Sequence, residues 1–191
     1  MFTQIIITSV VFLILAFLLY MITVFNSLKA VKNNVIKAEA NIKVLLKQRF
    51  DEIPQLVEVC KKYMDYETSV LKDLTNLRSD FEEKINKKEE LQVEEIESFD
   101  EELSNQIGNL KATAENYPNL KTSEQFLNLQ IRISSIEEQI ADRREFFNES
   151  VNAYNINIES FPDMIISSIL GYRKKDMLDI SEKEKEIPKN F

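Results

Sequence analysis

Apolar positions along this chain fall into two patterns: one unbroken run at the amino end, then stripes at a seven-residue repeat set among polar and acidic residues. The run reads IIITSVVFLILAFLLYMITVF from Ile5 to Phe25, and no side chain before Lys29 is charged. As a helix it spans about 32 Å, close to the ~30 Å hydrocarbon thickness of a bilayer. Because it is apolar on every face it is not an amphipathic core helix, and it exceeds the roughly 10 to 14 residues of a buried one. A cleaved secretory signal needs a basic start, a shorter apolar stretch and a small-residue cleavage site. Here the run ends in Thr23-Val24-Phe25-Asn26-Ser27 and continues into helix-forming sequence. The sequence predicts a retained transmembrane anchor over residues 1–27.

The first stripe, Leu28, Val31, Val35, Ala38, Ile42 and Leu45, alternates spacings of three and four, so one helix continues directly from the anchor. It should end near Arg49 to Glu52, because Pro54 suits only the first turn of the next helix. The second stripe runs from Ile53 through Leu56, Cys60, Tyr63, Val70, Leu74, Leu77 and Phe81 to Ile85 and predicts one long helix folding back. A break is expected around Asn86 to Glu89. A third helix then carries Leu91, Ile96, Phe99, Leu103, Ile107 and Leu110 and ends before Asn116-Tyr117-Pro118-Asn119. The last helix starts at a capping-box spacing, Thr122 and Gln125, carries Phe126, Leu129, Ile133, Ile136, Ile140, Phe147, Val151, Tyr154, Ile158 and Phe161, and stops at Pro162. Turns of a few residues force neighbouring helices to run in opposite directions. The predicted class is therefore all-α: a transmembrane helix continuous with a long antiparallel bundle of about four helices over residues 28–180. Residues 181–191, SEKEKEIPKNF, are predicted to be a disordered charged tail.

Composition agrees with this reading, since the chain has two Gly, four Pro and no Trp. Its net charge of −8 argues against nucleic acid as a partner, which needs a concentrated basic surface. With no His there is no imidazole base or ligand, and with two Gly there is no phosphate-cradling loop. No catalytic residue, cofactor site or metal site is predicted. The acidic stretch from Glu82 to Glu102 lacks the glycines and alternation of a calcium loop and reads as a solvated helix face. Cys60 sits on an apolar stripe and reads as core packing. Lys29, Lys32 and Lys37 follow the span closely, which by the positive-inside tendency puts the amino terminus outside and the body in the cytoplasm.

Two charges stand where the stripes call for an apolar residue: Glu67 between Tyr63 and Val70, and Arg143 between Ile140 and Phe147. The predicted arrangement is a structural ion pair that penalises wrong helix registers. After the last helix comes an apolar segment, Phe161, Pro162, Met164, Ile165, Ile169 and Leu170, followed at once by Arg173, Lys174 and Lys175. Two readings stay open for it. It lies in the lipid interface with its cations at anionic headgroups, or it closes the end of the bundle as a short helix terminated by Gly171.

Three groups of residues resemble the LemA family of bacterial membrane proteins. They are Arg143-Arg144-x-Phe146-Phe147-Asn148-x-x-Val151-x-x-Tyr154-Asn155-x-x-Ile158-x-x-Phe161-Pro162; Gln48-Arg49-x-Asp51-x-Ile53-Pro54-x-Leu56-Val57; and Tyr117-Pro118-x-Leu120-Lys121-x-Ser123-Glu124-x-Phe126-x-x-Leu129-Gln130. Tyr66 precedes Glu67 where the family commonly has a His. The resemblance implies a bacterial inner-membrane protein with an amino-terminal span, a cytoplasmic body of long helices and no assigned catalytic activity. It also implies relatives associated with shaping internal membranes and others found beside membrane metalloproteases. Two functions follow as expectations. One is a self-assembling scaffold, a homo-oligomer in contact with the bilayer. The other is an adaptor presenting a helical surface to another membrane protein.

Overall fold

The structure, a computed structural model, describes residues 1–64, 69–86 and 93–178. The regular elements among these residues are helices: α1 (Phe2–Asp51), α2 (Ile53–Lys61), α3 (Ser69–Asn86), α4 (Val93–Ala114), α5 (Pro118–Lys121), α6 (Glu124–Glu159) and α7 (Asp163–Ile169). The all-α class is as expected, and the apolar run and first stripe form the single helix α1.

Fifty residues without Gly or Pro make α1 about 75 Å long. The polar groups inside its apolar part are satisfied locally. The Thr8 hydroxyl donates to Gln4 O at 3.0 Å and the Thr23 hydroxyl to Tyr20 O at 2.6 Å, which removes a donor that would be costly in hydrocarbon. Further along, the buried stripe is Val24, Leu28, Val35, Ala38, Ile42, Leu46 and Phe50. Leu46 replaces the expected Leu45 because a 3.6-residue turn drifts about 20° per heptad against a strict seven-residue repeat.

The chain forms two compact units, and α1 and α6 each contribute to both. The first comprises Met1–Ala38 and Phe146–Met177. Its core joins Val24, Leu28, Val35 and Ala38 of α1 with Phe147, Val151, Tyr154 and Ile158 of α6 and Ile166 of α7. Pro162 accounts for the end of α6, since it offers no N–H and disfavours helix in the residue before it. Gly171, at φ +67°, closes α7: Tyr172 N donates to Ser167 O at 2.9 Å and Gly171 N to Ser168 O at 3.1 Å. This is the Schellman pattern that the left-handed residue makes possible.

The second unit comprises Glu39–Glu145 and Leu178–Phe191, of which the last stretch is described only at Leu178. Pro54 lies in the first turn of α2, as expected. The predicted single helix from Ile53 to Ile85 is instead two. α2 ends at Lys61, Tyr63 and Met64 turn back to donate to Cys60 O at 3.0 and 2.9 Å, and α3 opens at Ser69. Apolar spacing shows which face is buried and not whether the backbone is continuous, and Ser69, where α3 begins, is of a type that favours helix ends. α3 and α4 run antiparallel, with Phe81 beside Phe99 and Lys84 beside Glu95. Phe50 stacks on Phe81 at 4.1 Å between centroids and meets Phe99 edge-on at 6.2 Å, and such aromatic pairs add about 0.5–1.5 kcal/mol each beyond area burial.

α4 ends before Asn116 as predicted, and the one-turn helix α5 follows, which the stripes do not announce. It buries Leu120 completely and starts on Pro118. Thr122 makes no capping box, because its hydroxyl donates to Pro118 O at 3.0 Å. α6 opens instead from Ser123, whose carbonyl accepts from Leu127 N at 3.0 Å. The expected tail at 181–191 lies outside the described residues.

Candidate membrane-facing site and a buried ion cluster

From Phe2 to Tyr20 every side chain of α1 is exposed, Phe2 and Phe12 by 85% and 70%. Soluble proteins rarely leave apolar patches beyond a few hundred Å² uncovered, and this one surrounds the helix, so it needs an apolar solvent. Among the described residues one helix is long and apolar enough to cross a membrane, and it contains this segment.

The same unit holds the candidate interface segment. α7 packs inward through Ile166 and Ser167, whose hydroxyl donates to Ile158 O at 2.8 Å. Its other face does not pack: Phe161 is 81% exposed and Ile169 77%, with Met164, Ile165 and Leu170 also exposed. One face of this short helix is packed and the other is open. The stretch after it is held by α6. Tyr154 donates its hydroxyl to Arg173 O at 3.1 Å, Asn155 Nδ2 donates to Lys175 O at 2.9 Å, and Lys175 N donates back to Asn155 Oδ1 at 3.0 Å. Burial, then the nearby Tyr172, hold the Tyr154 phenol above its ordinary pKa against the lowering effect of its hydrogen bond, which keeps it a donor. Lys174 pairs with Glu159 at 3.1 Å. On the facing side, Lys32 Nζ stands 4.6 Å from the centre of the Tyr172 ring, a cation–π contact. Asn155 is thus buried. A 3.6-residue turn brings it beside the Tyr154 stripe position.

The second unit contains a buried charge cluster on residues other than Glu67 and Arg143. Arg49, fully buried, donates from Nη1 to Asp100 Oδ1 at 2.7 Å and to Ser104 Oγ at 3.0 Å, and its Nη2 lies 3.0 Å from Glu137 Oε2. Arg144 donates to the other oxygen of Asp100 at 2.9 Å. Two guanidinium groups and two carboxylates from α1, α4 and α6 therefore balance in charge. Asp100 and Arg144 pair α4 with α6 in antiparallel register, as do Ser104 and Glu137. Arg143, expected at the core position, is exposed. Positions 143 and 144 both stand three or four residues from Ile140 and Phe147, so spacing alone permits either. Its expected partner Glu67 lies outside the described residues. Arg49 and Asp100 also occupy stripe positions, seven residues after Ile42 and four after Ile96, which was the signal for them.

Cys60 is buried, and burial pushes its thiol up to about 12, so it stays protonated and unreactive at neutral pH. Among the described residues no cluster of three acidic, Cys or His side chains is placed to hold a metal. An open depression of about 390 Å³ lies along α6 beside Lys111 of α4, with Leu127 and Ile131 exposed on its wall.

The LemA family model matches residues 38–190, most of the chain. This chain belongs to the LemA family. Within it, a 74-residue stretch is 28% identical to magnetosome protein MamQ 2 of Paramagnetospirillum magneticum, covering 39% of the chain and 27% of that protein. A 72-residue stretch is 29% identical to magnetosome protein MamQ of Magnetospirillum gryphiswaldense, covering 38% and 26%. The match thus spans about a quarter of each relative's length. Family membership together with the exposed apolar helix makes this LemA-family chain a membrane-associated helical protein.

Proposed function

We propose that this LemA-family protein is a non-enzymatic, single-pass scaffold of the bacterial inner membrane, with its helical body in the cytoplasm, that self-assembles to organise or remodel the bilayer. The observation carrying this reading is the union of an anchor and a packed body in one helix, α1, whose first part is lipid-suited on all faces and whose later part is a core stripe. Apolar side chains left exposed on the long helices, Ile36 and Val44 on α1 and Leu127 and Ile131 on α6, support association through helix faces. Similarity to magnetosome proteins supports a role in membrane organisation. Lys29, Lys32 and Lys37 beside the span support the cytoplasmic placement of the body. Purification of the full chain in mild detergent tests the proposal. Large, uniform homo-oligomers are expected. A monomer that co-purifies with one stoichiometric membrane protein overturns the scaffold in favour of an adaptor, the reading supported by the depression at Leu127 and Ile131.

A further inference from the structure

The first unit carries a second apolar surface besides the anchor, and its place in the fold says what covers it. Val24 belongs to the predicted span, yet it is only 6% exposed, and Leu28 one turn later is fully buried. A helix cannot bury its own outward side chains, and the only other segment of this unit is Phe146–Met177. That segment therefore reaches α1 at the level where the span ends. The contact between Lys32 and Tyr172 gives a second fix: Lys32 is seven residues past Phe25, about 10 Å along the helix.

At this level α7 is two-faced. At 100° per residue, Met164, Ser168, Ile165 and Ile169 fall within one sector of about 140°, and all four are exposed, as is Phe161 two residues before the helix starts. Ile166 and Ser167 lie on the opposite side and are buried. The outward sector includes no charged residue. Charges gather just beyond it: Arg173, Lys174 and Lys175 after α7, with Lys29 and Lys32 on α1, against Glu159, Asp163 and Asp176. An apolar face flanked by a cationic excess beside a membrane span matches an interfacial helix on an anionic surface.

We propose that α7 is a second membrane contact: its outward face, Met164, Ile165 and Ile169, with the exposed Phe161 just before the helix, lies in the headgroup–acyl boundary of the leaflet where α1 leaves the bilayer, with Arg173 and Lys175 toward anionic headgroups. This rests on α1 being a membrane anchor and is independent of self-assembly. The two contacts on one unit restrict its tilt and rotation against the bilayer, which a single anchoring helix does not.

The full chain carrying Cys60→Ala and a single nitroxide-labelled cysteine, at Ile165→Cys or Ile169→Cys, is reconstituted into vesicles of phosphatidylcholine and phosphatidylglycerol. Accessibility to oxygen, which enriches in lipid, and to a water-soluble nickel chelate is then measured. Leu13→Cys gives the lipid reference and Ser79→Cys, at an exposed polar position of α3, the water reference. Labels at 165 and 169 are expected to favour oxygen over nickel, at roughly 5–10 Å below the headgroups. The preference should weaken in phosphatidylcholine alone, and Arg173→Gln with Lys174→Gln and Lys175→Gln should weaken it equally in the anionic vesicles. Nickel accessibility at 165 and 169 equal to that at 79, with 13 still in lipid, overturns the second contact and leaves the anchor standing. Shielding from both reagents overturns it in favour of a protein partner such as a second copy. A depth independent of lipid charge overturns the role of the cations. A label at 13 that reports water overturns the anchor and the proposal together.

Discussion

Arg49 and Asp100 are joined by a 2.7 Å hydrogen-bonded ion pair in which the arginine side chain has no solvent exposure and the aspartate 9%. Such a pair adds little net stability over apolar packing, because desolvation offsets attraction, but removing one member strands a charge. Arg49 also leaves Nε and Nη2 without a hydrogen-bond partner, so its compensation depends on the bond from Nη1 to Asp100 and the ion pair of Nη2 with Glu137. Asp100→Leu is expected to lower stability by roughly 3–5 kcal/mol. Arg49→Met with Asp100→Leu should recover more than half of that loss, since Arg144, at 12% exposure, can turn toward water. Denaturant melts in detergent measure both; a double variant no more stable than the single one would show that the stranded charge is not the cause.

The neighbouring arginines make a sharper contrast. Arg144→Ala removes a charge-assisted bond to Asp100 Oδ2 and should cost about 1.5–3 kcal/mol, whereas Arg143→Ala, on an exposed residue, should stay within about 0.5 kcal/mol. The proposed Glu67–Arg143 pair demands the reverse order, together with rescue when both charges are reversed. Melting the two alanine variants side by side separates the cases.

The two glycines should respond to alanine with opposite signs. Gly171 holds φ +67° at the end of α7, where a Cβ costs roughly 1–2 kcal/mol whatever space surrounds it. Gly108 lies inside α4 with nothing within 4 Å of an added Cβ, so Gly108→Ala should stabilise by about 0.5–1 kcal/mol. A shift of the same sign in both thermal melts would contradict this account of either position.

Period and punctuation made much of the fold legible. The joint between α1 and α2, the end of α4 and the end of α6 follow from Pro54, Pro118 and Pro162, because the lost N–H and fixed ring act locally. The split of the second stripe into α2 and α3 was hidden, since Tyr63 and Val70 keep their spacing across an interruption. The residues of the ion cluster were not legible as such, although Arg49 and Asp100 stand at stripe spacings. At position 143 or 144 the choice turns on a rotation of one residue, about 100°, which depends on how α4 packs against α6 and not on either sequence alone. The apolar segment at α7 was visible from its composition, yet only the packing of Ile166 and Ser167 shows which face is left outward.

The clamp made by Asn155 is a further outcome of packing, and it sets the last prediction. Its side-chain amide closes a pair of hydrogen bonds on the backbone of Lys175, donating at 2.9 Å and accepting at 3.0 Å, while Tyr154 engages Arg173 O one residue pair earlier. Residues 172–178 have no helix of their own, so these bonds, with the exposed Lys174–Glu159 ion pair, hold the basic stretch against α6. Trypsin cuts after Arg173, Lys174 and Lys175 only when that backbone detaches, and detachment breaks both Asn155 bonds at once. With each net bond worth about 0.5–1.5 kcal/mol, Asn155→Ala should raise the open population, and with it the cleavage rate, by about 10–100-fold. Asn155→Asp keeps the acceptor for Lys175 N and loses the donor to Lys175 O, so it should fall between wild type and Asn155→Ala. Tyr154→Phe, which removes one bond from a phenol held protonated by burial, should show a smaller rise of up to about tenfold. Limited proteolysis followed by intact mass reads all three rates. An Asn155→Ala chain cut no faster than wild type would mean that the contact of Tyr172 with Lys32, and not the amide clamp, holds the segment in place.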